Sequence, residues 1–142
     1  MPETSLSVEH LFTLTCTTAP AIAVRETPRG TRLLYAVTGG TVEGPHLRGA
    51  VAPSPGGDWA SVGPDGTLGV DVRLVLQPED ADPVLFSYTG VASRGADGTV
   101  DIRVACRCEA GAGPHPWLNG IQAVGVGRSG GRKVTYEIYR LL

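Results

Sequence analysis

The segment TLGVDVRLVLQ (residues 67–77) decides the fold class, because its apolar side chains occupy every second position. A period of two places alternate side chains on opposite faces of an extended strand. Asp71 and Arg73 share one face with Thr67, Gly69 and Val75. The other face is aliphatic and carries Leu68, Val70, Val72, Leu74 and Leu76. The segment is therefore predicted to be a β-strand with one apolar and one partly charged face.

The same alternation recurs along the chain, whereas helical periodicity does not. Further strands are predicted at residues 6–18, 21–27, 29–40, 46–53, 83–93, 98–109, 119–128 and 133–142. Asp65-Gly66 and Asp97-Gly98 each precede a strand and predict tight turns, since both positions of an Asp-Gly pair tolerate positive φ. Residues 54–66 are predicted to form a loop. One helical turn is predicted near APAIA (19–23) or PWLNG (116–120).

These elements predict an all-β fold, since the short connections leave no room for crossover helices and neighbouring strands should be antiparallel. A sandwich and a closed barrel both satisfy this pattern. A meander favours the barrel, because closure removes exposed strand edges. The prediction is a single closed antiparallel β-barrel of about eight or nine strands, mostly a meander with little helix, that spans residues 1–142.

Composition restricts the class of partner. The 142 residues suffice for one domain, and the net charge is −2 without a basic stripe, which argues against a nucleic-acid partner. The N-terminus lacks the features of a signal peptide, and no apolar run reaches the ~18 residues of a membrane span. We therefore expect a cytoplasmic protein with neither a membrane nor a nucleic acid as partner.

Motifs for metal, cofactor and nucleophilic chemistry are not found. The cysteine count of three is odd and indicates free thiols. Cys106 and Cys108 with His115 lack the spacing of a zinc site, so buried thiols are expected rather than a metal centre. There is no nucleophile elbow, P-loop or dinucleotide-binding glycine pattern. No cofactor is expected, and the chemistry would be proton transfer by Asp, Glu, Tyr and Arg.

Two strands raise the question of which face points inward. Residues 98–109 repeat the pattern of residues 67–77, with Asp101 and Arg103 on the polar face. In one arrangement the aliphatic faces form the core and the charges pair in solvent, where each pair contributes ~0–1 kcal/mol. In the other, Asp71 and Arg103 face the cavity of a hollow barrel. Periodicity favours the first arrangement.

The aromatic residues suggest candidate ligand contacts. Trp59 lies in a Gly/Pro-rich stretch and is interpreted as a plug over one barrel end. Trp117 and Asn119 together can bind a ligand by stacking and amide hydrogen bonds; alternatively, Trp117 fills the core and Asn119 makes a turn. Tyr88 and Tyr139 lie on predicted strands, where either can point inward.

An ordered set of motifs then becomes recognisable. It runs from LFTLT (11–15), ETPRGTR (26–32) and TGGTVEGPHLRG (38–49) through GGDW (56–59) and DVR (71–73) to WLN (117–119) and YEIYRL (136–141). With these motifs the chain resembles domain-of-unknown-function family 3237, small proteins of bacteria and fungi. The resemblance implies a compact barrel, similar to the allene-oxide-cyclase-like or calycin-like barrels, that self-associates, with a dimer favoured.

The resemblance also implies a set of polar and aromatic site positions. These are Asp58, Asp71, Arg103, Glu109, Trp117 and Asn119. The chain departs from the family in IRVACRCEAGAGPHPWLN (102–119), where it lacks the aromatic residues that relatives tend to carry. That departure puts a ligand inherited from relatives in doubt.

The resulting hypothesis is a cofactor-independent isomerase, cyclase or lyase that acts on an apolar small molecule. A polyketide-type intermediate of secondary metabolism is one example. Asp71 or Glu109 would be the general base, and Arg103 would stabilise a developing negative charge. Further ligand contacts are predicted at Asp58, Trp59, Arg73, Tyr88, Trp117, Asn119 and Tyr139. The alternatives are a non-catalytic small-molecule-binding barrel and a structural homo-oligomer with a filled barrel.

Overall fold

The computed structural model describes residues 1–142 and confirms the all-β prediction. The strands are β1 (Val8–Thr18), β2 (Ile22–Thr27), β3 (Gly30–Glu43), β4 (Arg48–Val51), β5 (Gly57–Val62), β6 (Leu68–Pro78), β7 (Val84–Arg94), β8 (Val100–Glu109), β9 (Ala123–Gly130) and β10 (Lys133–Leu141). A five-residue 3₁₀ helix, Pro116–Gly120, connects β8 to β9. None of the helical structure is long and apolar enough to cross a membrane.

The ten strands form a closed antiparallel barrel with eight strand positions, because two positions are each shared by two strands. β1 and β2 lie end to end along one edge of β3. β4 and β5 lie end to end between β3 and β6. From β6 to β10 each strand pairs with the next, and β10 pairs with β1. The meander and its closure are therefore as predicted.

The prediction of a loop at residues 54–66 is wrong for residues 57–62, which form a strand. Gly57–Val62 forms β5, which pairs with β3 on one side and with β6 on the other. Its alternation is short, and flanking glycines and prolines hide it in the sequence. The backbone groups of β3 and β6 at this level need hydrogen-bond partners, and β5 supplies them. The helical turn occurs at the second of its two predicted places.

The aliphatic faces point inward, as periodicity favoured. On β6, Val72, Leu74 and Leu76 are buried, whereas Asp71 and Arg73 are exposed. We call the end of the barrel where β3–β4, β6–β7 and β8–β9 connect the closed end, because large apolar side chains fill it. They are Leu11, Phe12, Leu47, Leu76, Val84, Phe86 and Leu118. This filled half holds most of the hydrophobic core.

The opposite end is less filled. We call it the mouth; it is bounded by the β2–β3, β5–β6, β7–β8 and β9–β10 turns. β2 pairs only with β3, so its other edge has no partner beside the β9–β10 turn. The inner wall of β9 carries little side-chain volume here: Gly127 lies directly opposite Tyr136. A Cβ at Gly127 would lie 2.3 Å from the ring of Tyr136, so the glycine makes room for that ring.

Candidate functional site

A cavity of about 170 Å³ lies inside the barrel between the filled half and the mouth. One water needs roughly 10–15 Å³ of a cavity volume of this kind, so the cavity has room for about a dozen waters or a small organic molecule. Its walls are mainly apolar and come from eight of the ten strands. They include Leu33, Val37, Val62, Leu68, Val70, Val72, Ala92, Val100, Ile102 and Val134. A barrel filled throughout, the structural alternative, does not fit this geometry.

Asp58 is the one carboxylate that lines the cavity. It lies where the β5–β6 ladder opens: Asp58 pairs with Val72, and pairing resumes only at Ser61. In this gap the Asp58 carboxylate accepts a hydrogen bond of 3.1 Å from the backbone N–H of Asp71. Burial raises the pKa of Asp58 to about 6; the N–H bond opposes the shift, and the negative charge of Asp71 adds to it.

Three tyrosines surround the same space. Tyr88 and Tyr136 are buried and pack edge to face, with their ring centroids 4.9 Å apart. Burial is the main cause that raises the pKa of both phenols far above its ordinary value, so each keeps its proton at neutral pH. Tyr35 also lines the cavity and is the direct partner of Asp58 in the β3–β5 ladder. The arrangement offers hydroxyl donors close to one carboxyl group.

Cys16 also lines the cavity. Burial raises the pKa of its thiol to about 12, so no reactive thiolate forms near neutral pH. Cys106 is buried and Cys108 partly buried, and burial raises their pKa values to about 12 and about 11. No group of three or more His, Cys, Asp and Glu side chains lies close enough together to hold a metal ion.

Asp58 is thus placed as the group that can exchange a proton near neutral pH. A general base or acid works best when its pKa lies near the working pH, and burial of a carboxyl group is a common way to raise it. Neutral tyrosine hydroxyls can donate hydrogen bonds to an oxygen that gains negative charge. The cavity can therefore support proton transfer on a small apolar molecule with a carbonyl or hydroxyl group.

The structure places the three predicted catalytic residues outside the barrel. Asp71, Arg103 and Glu109 are exposed on the outer faces of β6 and β8. The arrangement in which Asp71 and Arg103 face a cavity, which their predicted catalytic roles require, is therefore wrong. The reason is the period of two: Val72 and Val104, the neighbours of these residues, are buried, so the charged side chains must point outward.

Trp59 does not close a barrel end. It alternates with the inward-facing Asp58, and its side chain is 61% exposed on the outer wall. There it borders an outer groove together with other predicted site residues. That groove is lined by Trp59, Asp71, Arg73, Glu109 and Asn119 among others. These predicted site residues are therefore neighbours in the structure, but they lie on the outer face of the sheet and not in the cavity.

The remaining predicted ligand contacts lie at the closed end or on the outer wall, with one exception. Tyr88 faces the cavity. Trp117 packs partly buried against the core, which is the second of its two interpretations. Asn119 accepts a hydrogen bond from the N–H of Ala110 (2.7 Å) and donates one to its carbonyl (2.9 Å), so it fixes the loop after β8. Tyr139 packs on the ring of His10, with a centroid distance of 5.4 Å.

The cavity also contains residues that sequence reasoning missed as site residues. Tyr136 shares the apolar face of β10 with Val134 and Ile138. This alternation in the sequence indicates that Tyr136 points into the barrel. Cys16 similarly shares the apolar face of β1 with Leu14. Nothing in the sequence pairs either residue with Asp58, because they meet only through closure of the barrel.

Comparisons with known proteins agree with this architecture. The profile of a family described as Protein of unknown function (DUF3237) matches residues 6–141. No curated protein matches the chain. A beta-barrel like protein from Acinetobacter baumannii is 24% identical, with 99% of each chain covered and a TM-score of 0.88.

Two further solved structures show the same fold. A conserved protein of unknown function from Rhodopseudomonas palustris is 19% identical and has a TM-score of 0.89, with 99% of this chain and 100% of that chain covered. An enzyme from Penicillium herquei is 23% identical and has a TM-score of 0.74, with 100% and 98% covered. At these identities the similarity establishes the barrel fold and not an activity.

Proposed function

Since the chain belongs to the DUF3237 family, whose description names no activity, we propose one from the cavity: cofactor-independent acid–base catalysis on a small, mostly apolar molecule. The observation that carries the proposal is a single carboxyl group, Asp58, whose pKa is raised to about 6 inside an apolar, tyrosine-lined cavity. The solved barrel from Penicillium herquei is described as an enzyme, which supports the enzymatic interpretation.

In the proposed reaction the Asp58 carboxylate takes a proton from a carbon next to a carbonyl group. The Tyr88 and Tyr136 hydroxyls donate hydrogen bonds to the carbonyl oxygen, which becomes an enolate oxygen and gains the electron pair. Asp58 then returns the proton to a different carbon of the same molecule. The sequence of steps is an isomerisation that consumes no other reactant. Ring closure by an internal hydroxyl group uses the same two kinds of residue.

Proton exchange with solvent tests this proposal without knowledge of the natural substrate. The parent protein is incubated in D₂O with a panel of β,γ-unsaturated ketones, and proton NMR follows deuterium uptake and double-bond migration. Asp58→Asn is expected to lower the rate by about 10²–10⁴-fold, the usual contribution of a general base. Tyr136→Phe is expected to cost about 10²-fold, as for one lost donor to an oxyanion.

Two outer-wall variants are the matched controls. Glu109→Gln and Arg103→Ala alter exposed groups and should keep the parental rate. If these variants lose activity while Asp58→Asn retains it, the chemistry belongs to the outer wall and the cavity proposal is wrong.

The alternative is a barrel that binds its ligand without converting it, which the apolar walls of the cavity also favour. In that case native mass spectrometry would find a copurifying molecule that is released unchanged. The parent protein and Asp58→Asn would then show the same absence of deuterium uptake with every compound that binds.

A further inference from the structure

Three basic residues line the mouth of the cavity: Arg94, Arg132 and Lys133. Arg94 ends β7, whereas Arg132 and Lys133 lie in and after the β9–β10 turn. All three are exposed, and none takes part in an ion pair. The hydrogen bond of Arg94 to the carbonyl of Gly98 is long, at 3.5 Å. The three cations are therefore free to contact a bound molecule.

The backbone holds the two arginines beside the opening. Arg94 lies on the inward face of β7, in the same alternation as Tyr88 and Ala92. The carbonyl of Arg132 accepts a hydrogen bond of 3.0 Å from the N–H of Thr18, which ties its turn to the end of β1. The Arg94 side chain thus extends from the end of β7, and the Arg132 side chain extends from a turn that is tied to β1.

The carboxylates of the rim turns, Asp65 and Asp97, do not line the cavity and form no ion pair with these three cations. Asp65 accepts a hydrogen bond from the N–H of Thr67 (2.9 Å) within its own turn. Asp97 accepts bonds from the N–H and the hydroxyl of Thr99 (3.0 and 2.7 Å). Asp58, the only acid that lines the cavity, lies deeper, beside the tyrosines. The cavity is therefore positive at its mouth and carries its single acid further in.

We infer that the molecule bound in the cavity is an apolar carboxylate whose anionic end is held at the mouth by Arg94 and Arg132, with Lys133 adjacent. This inference rests on the proposed function, since it uses the same cavity. A carboxylate and a guanidinium group form the strongest common type of hydrogen-bonded ion pair in proteins. Asp58 repels an anion at the inner end, so the charge polarity fixes the orientation and leaves the neutral end of the ligand at the acid–base group.

A pair of eight-carbon ligands tests the inference. Octanoate and 1-octanol have the same chain and differ in charge, and both are small enough for the cavity. Isothermal titration calorimetry compares their affinities for the parent protein at low salt, where exposed charges are least screened. We expect octanoate to bind about tenfold more tightly, in line with two or three exposed ion pairs.

The variant Arg94→Gln/Arg132→Gln should lose this preference by weakening octanoate alone. Arg103→Gln, which removes an outer-wall cation, should retain it. Equal binding of the two ligands to the parent protein, or an unchanged preference in the double variant, would overturn the inference and leave the cavity proposal intact. If neither ligand binds, the apolar cavity is not a binding site, and both proposals fail.

Discussion

Replacing Asp58 with Asn is expected to make the protein more stable at neutral pH while removing the proposed activity. Burial raises the pKa of this carboxyl group from its ordinary value of 3.8 to about 6. A raised pKa means that the folded protein holds the proton more tightly than the unfolded chain does. The stability that this proton contributes is present below pH 3.8 and is lost as the pH rises through the folded-state pKa of about 6.

The size of the effect follows from the pKa. At 1.36 kcal/mol for each pH unit, the change from 3.8 to about 6 corresponds to about 3 kcal/mol in total. Of this, about 2 kcal/mol falls between pH 4.5 and pH 7.5, because the unfolded carboxyl group is already mostly ionised at the lower pH. Asn cannot ionise, and its side-chain oxygen can still accept the hydrogen bond from the N–H of Asp71.

The assay is urea unfolding of the parent and Asp58→Asn across this pH interval. The free energy of unfolding of the variant minus that of the parent should rise by about 2 kcal/mol from pH 4.5 to pH 7.5. Contributions from all other groups are common to both proteins and cancel in the difference. Glu109→Gln changes an exposed outer-wall residue. Its free energy of unfolding should change with pH in the same way as that of the parent. Parallel curves for Asp58→Asn as well would refute the assignment of a buried, perturbed carboxyl group.

Three further predictions concern packing, a side-chain hydrogen bond and assembly. Gly127→Val should destabilise the barrel by about 1–3 kcal/mol in urea unfolding, because the added side chain overlaps the Tyr136 ring. Asp80→Ala should lower the melting temperature at pH 7, because buried His115 loses its partner at 3.0 Å. The hydrogen bond of His115 lowers the pKa of Asp80, so the difference from the parent should shrink as the pH falls below the ordinary value of 3.8 through the lower folded-state pKa, as calorimetry can show. Self-association is expected to give a dimer by light scattering, and a monomer at every concentration would contradict it.

Strand alternation, together with the short connections of a meander, was enough to predict the barrel but not the site. Residues 67–77 form a strand because apolar and polar positions alternate, and the same pattern correctly favoured an aliphatic interior. The charged face of this strand was interpreted as part of a catalytic site because Asp71 and Arg73 lie two residues apart on it. On the outside of a barrel the same pair is ordinary surface charge.

Asp58 was recognised as a site residue, but its surroundings were not predictable from local sequence. It lies on β5, a strand that the adjacent glycines and prolines concealed. Its neighbours Tyr88 and Tyr136 come from β7 and β10, so the three meet only through the closure of the whole sheet. The pKa of Asp58 depends on that burial, which no motif encodes.

The two shared strand positions give the mouth two strands of its own, β2 and β5. β4 completes the wall around the filled, closed end, whereas β2 and β5 complete it around the mouth. β1 runs from the closed end to the cavity, where Cys16 is part of the wall. β3 passes through both halves. Lengthening, shortening or exchanging β2 or β5 therefore reshapes the rim while the packing around Phe12 and Phe86 stays intact. The rim can therefore vary in length and shape without a change in the packing of the core.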